Sequence, residues 1–182
     1  MSDAADRPTA PDPEADLLRQ AIDAGKDRDL TAVPVGVIVV GDDGVGECPS
    51  LRFALDLAER LSTRVIVLQA WTIDSSLGEI SDHHGYIRSF DEVTRELRAR
   101  LQTRRAPDLQ QHPTVDVEVR VVHAPPAEAL VELSRHALML VLGSRGLGTL
   151  GSVMLGSVGI HCLRHAQCPV LVVPDRLVDE VA

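Results

Sequence analysis

Short runs of unbroken apolar residues constrain this chain more than any other feature. "VGVIVV" (35–40), "RVIVLQA" (64–70) and "LMLVL" (138–142) show no polar alternation, the pattern of strands covered on both faces. "VDVEVRVV" (115–122) differs: Val115, Val117, Val119 and Val121 alternate with Asp116, Glu118 and Arg120, so one face meets water, as on an edge strand. The last apolar run, "PVLVV" within "CPVLVVP" (168–174), reads as a further strand at the other edge.

Helical patterns separate these runs. Pro49 suits the first position of a helix whose apolar face is Leu51, Leu55, Ala58 and Leu61, with Arg52, Asp56 and Arg60 spaced to pair on its opposite side. "SFDE" (89–92) is a capping box opening a helix with a buried stripe of Phe90, Val93, Leu97 and Leu101. A third helix follows Pro125-Pro126 and buries Leu130 and Val131. Strands joined through single helices pair in parallel with right-handed crossovers, which gives a doubly wound α/β sheet. Such sheets bind ligands beyond the carboxyl ends of the strands, where strand order reverses. Two turn-rich loops leave apolar strands, "GDDGVG" after the first and "GSRGLGTLGSVMLGSVG" (143–159) after the fourth, and they predict the walls of that site.

Composition narrows the ligand. The 182 residues suffice for one sizeable domain, and a net charge of -9 with 2% aromatic residues argues against nucleic acid. No apolar stretch reaches the length of a membrane span, and the acidic "MSDAADRPTAPDPEAD" lacks the apolar core of a secretory signal, so a cytoplasmic location is expected. Cys48, Cys162 and Cys168 lack the spacing of a disulfide framework, which fits a reducing compartment. Residues 1–33 read as a disordered acidic, proline-rich tail, with a short helical pattern near 15–24, and 177–182 as a second tail flanking a domain over 34–176.

Three phosphate-binding patterns can be laid over the glycine stretch. A P-loop needs a lysine, and the only one, Lys26, lies in the tail. "GLGTLG" (146–151) matches the dinucleotide fingerprint, with Asp175 at about the ribose-binding distance, but that fingerprint belongs to a first strand rather than a penultimate one. The third pattern is wider: Gly143-x2-Gly146, nine residues, then Gly156-Ser157. Glycines there let backbone N–H groups approach phosphate oxygens, and Ser157 is placed to cap the helix running to Arg164, whose positive end would face the same anion. Arg145 is the one cation within the stretch.

On this spacing, with "VIVVGDDG", "PAEALVEL" (126–133) and "CPVLVVP", the chain over about 34–174 resembles the universal stress protein family. The resemblance implies a five-stranded Rossmann-like sheet of order 3-2-1-4-5 with about four helices. It also implies an ATP site, with Mg²⁺ accompanying the nucleotide: Gly143, Gly146, Gly156 and Ser157 on the phosphates, Val158 adding a backbone contact, and Leu142 by the ribose. Asp43 corresponds to the aspartate on the adenine side and Ala70 lines the base pocket; Gly41 joins the expected set, as does Arg145, on its own chemistry, as a complement to phosphate charge. Where the family often reads Gly-Val-Asp-Gly-Ser, this chain has Gly41-Asp42-Asp43-Gly44-Val45, which adds a carboxylate that could hold Mg²⁺ or repel phosphate. The implied function is that of a nucleotide-responsive stress regulator, paired as a homodimer through the 169–174 strand and acting on a protein partner. Slow ATP hydrolysis or autophosphorylation, NAD binding, and a ligand-free interaction module are the alternatives.

The remaining polar clusters have plainer readings. Asp42 and Asp43 suit a turn with no ligand, and Ser157 can cap a helix in an empty site. "HCLRHAQC" (161–168) and "DHHG" (82–85) lack the paired spacing of a zinc site, so no metal centre is expected. Ser144 would need a base to act as a nucleophile, and the candidate, His123, is expected on the far edge strand.

Overall fold

The sheet is parallel throughout and its order is β3-β2-β1-β4-β5. The computed structural model describes residues 34–72, 89–144 and 155–174. Within them the strands are β1 (Val37–Gly41), β2 (Val65–Trp71), β3 (Val117–His123), β4 (Ala137–Gly143) and β5 (Val170–Val173). Four described helices connect them: α1 (Pro49–Leu61), α2 (Phe90–Gln111), α3 (Pro126–Ser134) and α4 (Ser157–His165). The doubly wound sheet and its strand order agree with the expectation. The tail over 1–33 with its helical pattern, "DHHG", "GLGTLG", Arg145, Gly146, Asp175 and the 177–182 segment lie outside the described residues.

The apolar runs acquire their meaning from the two layers that cover the sheet. Alternate residues of a strand face opposite sides. Ile38, Val40, Val65, Val67 and Val141 pack with Leu51, Ala54, Leu55 and Ala58 of α1 and Val93, Leu97 and Leu101 of α2. On the other side Val37, Val39, Ile66, Leu68 and Leu140 meet Ala129, Leu130 and Leu133 of α3 and Cys162 of α4. A strand facing a helix layer on each side has no position for a charge, so β1 and β2 carry none.

Local signals act where the sequence places them. Pro49 opens α1, where its missing N–H has no intrahelical acceptor to lose. The capping box at α2 forms in both directions: Glu92 N donates to Ser89 Oγ at 3.3 Å, and Ser89 N donates to Glu92 Oε2 at 2.9 Å. Three expectations need correction. Leu61 is 49% exposed, on the last position of α1 before the chain turns away through a left-handed Ser62. Arg52 pairs away from its own helix, with Asp108 on α2 at 2.9 Å and Glu47 at 3.2 Å. Arg120, expected on the wet face of the edge strand, is buried, its guanidinium folded along the strand onto Glu118 at 2.6 Å.

The edge pairing of β3 also builds an aromatic corner. Trp71 and His123 are directly paired in register at the ends of β2 and β3. Their ring centroids are 4.5 Å apart, and Phe90 at the start of α2 lies 4.5 Å from His123 and 5.8 Å from Trp71. The Trp71 indole donates to Thr94 Oγ1 on α2 at 3.1 Å, which satisfies its polar atom in an otherwise apolar corner.

Candidate functional site

Strand order reverses between β1 and β4. The chain leaves β1 towards β2 through α1, and returns from β3 to β4 through α3 on the opposite face. The carboxyl ends of β1 and β4 therefore diverge into loops that flank a crevice. A cavity of about 630 Å³ occupies it. Its wall on the β2 and α3 side is apolar, formed by Leu68, Ala70, Pro126 and Leu130. Leu142 and Gly41 form the floor, paired in register. On the β4 and α4 side the lining turns polar, with Gly143, Gly156, Ser157, Val158 and Gly159.

The polar side is a helix N-terminus. The first intrahelical bond of α4 runs from Ile160 N to Gly156 O at 3.0 Å. The N–H groups of Ser157, Val158 and Gly159 thus precede the intrahelical ladder, and all three residues line the cavity. Here the expected cap is displaced by one residue. Gly156 occupies the cap position with extended backbone angles, while Ser157 is the first helical residue and makes no side-chain capping bond. Glycine is an accepted cap with no side chain to place, so the frame shifts without loss of the helix start.

Packing explains some of the glycines lining the cavity and not others. A Cβ on Gly41 would stand 2.7 Å from Leu142 Cδ2 and 3.3 Å from Leu130 Cδ1, so Leu142 would have to shift to admit a side chain there. A Cβ on Gly156 would meet nothing within 4 Å, and one on Gly143 only Ser50 Oγ at 3.8 Å. Neither backbone is left-handed. Among the described residues no neighbour excludes a side chain at these two positions, and Gly156 serves besides as the helix cap.

The β1–α1 loop forms the remaining wall. Asp42 Oδ1 accepts from Gly44 N at 2.8 Å and Asp43 Oδ1 from Val45 N at 3.0 Å, two successive side-chain turns of the kind aspartate favours. Gly44 and Gly46 have φ of +75° and +60°, conformations that other residues resist. Asp43 lies two residues beyond the end of β1, and Gln69 Nε2 holds its carbonyl at 3.2 Å. Asp42 lines the cavity as well, and its carboxylate already has a cation. Its side chain is buried on the α1–α2 face in a two-point pair with Arg105 of α2, at 2.7 and 2.8 Å. Two charges out of water are tolerated when paired this closely, and removal of one partner from such a pair typically costs about 3–5 kcal/mol.

Of the expected site residues, Gly41, Asp43, Ala70, Leu142, Gly143, Gly156, Ser157 and Val158 all line this one cavity. Cys48 and Ser50, which the sequence did not single out, line it too, with Cys48 Sγ 3.3 Å from Ser50 Oγ. Burial first, and then the charge of Asp42, push the Cys48 thiol above its ordinary pKa. Ser144 and His123 are not brought together, since two strands separate β4 from β3. The His161 and His165 rings lie 4.5 Å apart, tilted, on α4 while Cys162 points into the core, and among the described residues no group of three potential ligands is placed to hold a metal ion. Among the same residues no helix is long and apolar enough to cross a membrane.

The sheet order and the crevice at its reversal define an open α/β protein of the Rossmann-like kind. The universal stress protein family model matches residues 34–174, and the chain belongs to that family. It is 34% identical over 137 residues to the universal stress protein Rv2005c of Mycobacterium tuberculosis, across 74% of this chain and 44% of that one. The chain thus spans less than half the length of the curated relatives it matches. A solved universal stress protein in complex with cAMP is similar with a TM-score of 0.50 and 26% identity, over 78% of this chain and 98% of its own. The hypothetical protein MJ0577 shares the fold with a TM-score of 0.54 at 20% identity, over 78% and 97% of the two chains.

Proposed function

We propose that this chain is an ATP-binding regulator of the stress response, working as a cytoplasmic homodimer rather than as a dedicated enzyme. The observation that carries the reading is the pair of glycines, Gly143 and Gly156, that line the cavity where none of the described residues would crowd a side chain. Space held open by the absence of a side chain, next to the N–H groups that precede the α4 ladder, suits phosphate oxygens. The apolar wall of Leu68, Ala70, Pro126 and Leu130 suits a purine, with Asp43 beside it and the ribose over Leu142. Arg145 and Gly146 would complete the phosphate end. The cAMP held by a structural relative supports an adenine nucleotide as the class of ligand.

Asp42 is committed to Arg105, so Mg²⁺ would ride on the phosphates and retain most of its waters, as that ion prefers. Bound ATP would bias a surface seen by a protein partner, a population shift set by differential affinity. The second partner is another copy of the chain, through the edge strand within 169–174. Three free thiols support a reducing, cytoplasmic setting.

The test is mass spectrometry of nucleotide carried through native purification, followed by calorimetric titration with Mg-ATP and with NAD. Recovery of an adenine mononucleotide and saturable ATP binding are expected. NAD recovered in its place, or a melting temperature indifferent to both ligands, would overturn the reading.

A further inference from the structure

Helix α2 contributes none of the described residues lining the cavity, yet it grips the loop that does. Arg105 donates from Nε to Asp42 Oδ2 at 2.7 Å, from Nη2 to Asp42 Oδ1 at 2.8 Å and from Nη1 to the Gly46 carbonyl at 2.7 Å. Its neighbour Arg104 donates to the Gly44 carbonyl. The Arg105 and Asp42 side chains are 2% and 0% exposed. Asp42 Oδ1 also accepts from Gly44 N, so one carboxylate joins the arginine fork to the turn of the loop. This cluster is not what attaches α2 to the sheet, because Val93, Leu97 and Leu101 do that through the apolar layer. Its donors go instead to the Asp42 carboxylate and to the Gly44 and Gly46 carbonyls of a glycine-rich segment with two left-handed residues, which has little intrinsic preference for one shape.

We propose that Arg105 is a positioning residue for the nucleotide site, fixing through Asp42 and the Gly46 carbonyl the loop shape that closes the cavity beside Asp43. The assignment rests on the nucleotide reading given above. Its chemistry is that of the planar guanidinium, which bonds both carboxylate oxygens and a carbonyl at once, whereas an ammonium of the same charge is a point donor. Arg105 never touches the ligand, and it acts by holding Asp42, Gly44 and Gly46 so that Asp43 and Val45 stay on the wall.

The experiment uses the full chain with Arg105→Lys, which keeps the buried charge paired but lacks the fork. Leu97→Ala serves as a control that weakens α2 packing without touching the loop. Hydrogen–deuterium exchange over 42–47 and Mg-ATP titration are both read well below the melting temperature of each variant. Arg105→Lys is expected to speed exchange over 42–47 and to weaken Mg-ATP binding by about tenfold each, the scale of one charged hydrogen bond. Leu97→Ala is expected to lower the melting temperature while leaving both readouts at wild-type values. Wild-type protection and affinity in Arg105→Lys, or equal losses in Leu97→Ala, would overturn the proposal. If the wild-type chain binds no adenine nucleotide, the nucleotide reading fails by that fact, and the exchange measurement alone decides whether Arg105 holds the loop.

Discussion

Gly41 and Leu142 are paired across β1 and β4, and Leu142 Cδ2 fills the space where a side chain on Gly41 would begin. The floor of the cavity is therefore a two-residue fit, with the missing Cβ of one admitting the branched end of the other. Gly41→Val is expected to displace Leu142 and press on Leu130. Overpacking of this kind costs about 1–3 kcal/mol. Urea unfolding checks it as a lower midpoint at unchanged slope.

Gly143→Val separates ligand demand from fold demand. Among the described residues the added Cβ meets only Ser50 Oγ at the distance of an ordinary contact, and a β-branched residue suits a strand end. Stability should stay within about 1 kcal/mol of wild type. Affinity for Mg-ATP should fall about a hundredfold, roughly 3 kcal/mol, because the valine occupies phosphate space. Calorimetry and thermal melting on one preparation measure both, and a variant that unfolds rather than losing affinity would assign Gly143 to the fold.

His123 sets a pH dependence. Burial lowers its pKa below the ordinary imidazole value, since the charged form would sit against Trp71 and Phe90 away from water. A group whose folded pKa is depressed gives full stability above its unfolded pKa of about 6.5. As pH falls below that value the unfolded chain takes up the proton more readily, and stability declines until the folded pKa is passed. Melting temperature should therefore drop on acidification below about 6.5, before the carboxylates begin to titrate. His123→Phe should flatten that part of the profile. Glu118 acts at lower pH: the hydrogen bond from Arg120 lowers its pKa, so its contribution is lost only as pH falls through the carboxylate range.

The three thiols should react in order of access. Cys162 lies in the core, where burial and then the nearby Cys168 push its pKa up to about 11. Cys168 is half-buried and Cys48 faces the cavity, each with its pKa raised by burial. Iodoacetamide at mildly alkaline pH should modify Cys168 first, Cys48 more slowly, and Cys162 only on unfolding. Saturating Mg-ATP should slow Cys48 alone, with peptide mass spectrometry as the readout. Equal protection of Cys168 would place the ligand elsewhere.

The fold was legible because its signals are local or repeat at short range. β1 and β2 advertise two-sided burial by lacking charge, and "SFDE" announces the start of α2 within four residues. The cap of α4 was misplaced by one position because Gly156 and Ser157 are both competent caps, and only backbone angles choose between them. The Asp42–Arg105 pair is of another kind. Its partners are 63 residues apart, and nothing near Asp42 in the sequence names its cation. The one available signal was a charge placed directly after a fully buried strand on the side facing a helix rich in arginine. Cys48 and Ser50 were missed because a helix start reads as capping chemistry, and only the topology turns it towards the crevice.

The aromatic corner at Trp71 has an optical consequence. Trp71 is the only tryptophan of the chain, so intrinsic emission comes from this one place. Its neighbour Ala70 lines the cavity, and its indole is tethered to α2, the helix that also grips the β1–α1 loop. Emission from a single, fixed indole will register motion of the ligand wall and of the anchoring helix together, and its quenching by a protonated His123 will mark the acid transition. The molecule carries a built-in fluorescent reporter at the seam between its site and its frame, and no label need be added to watch the two move.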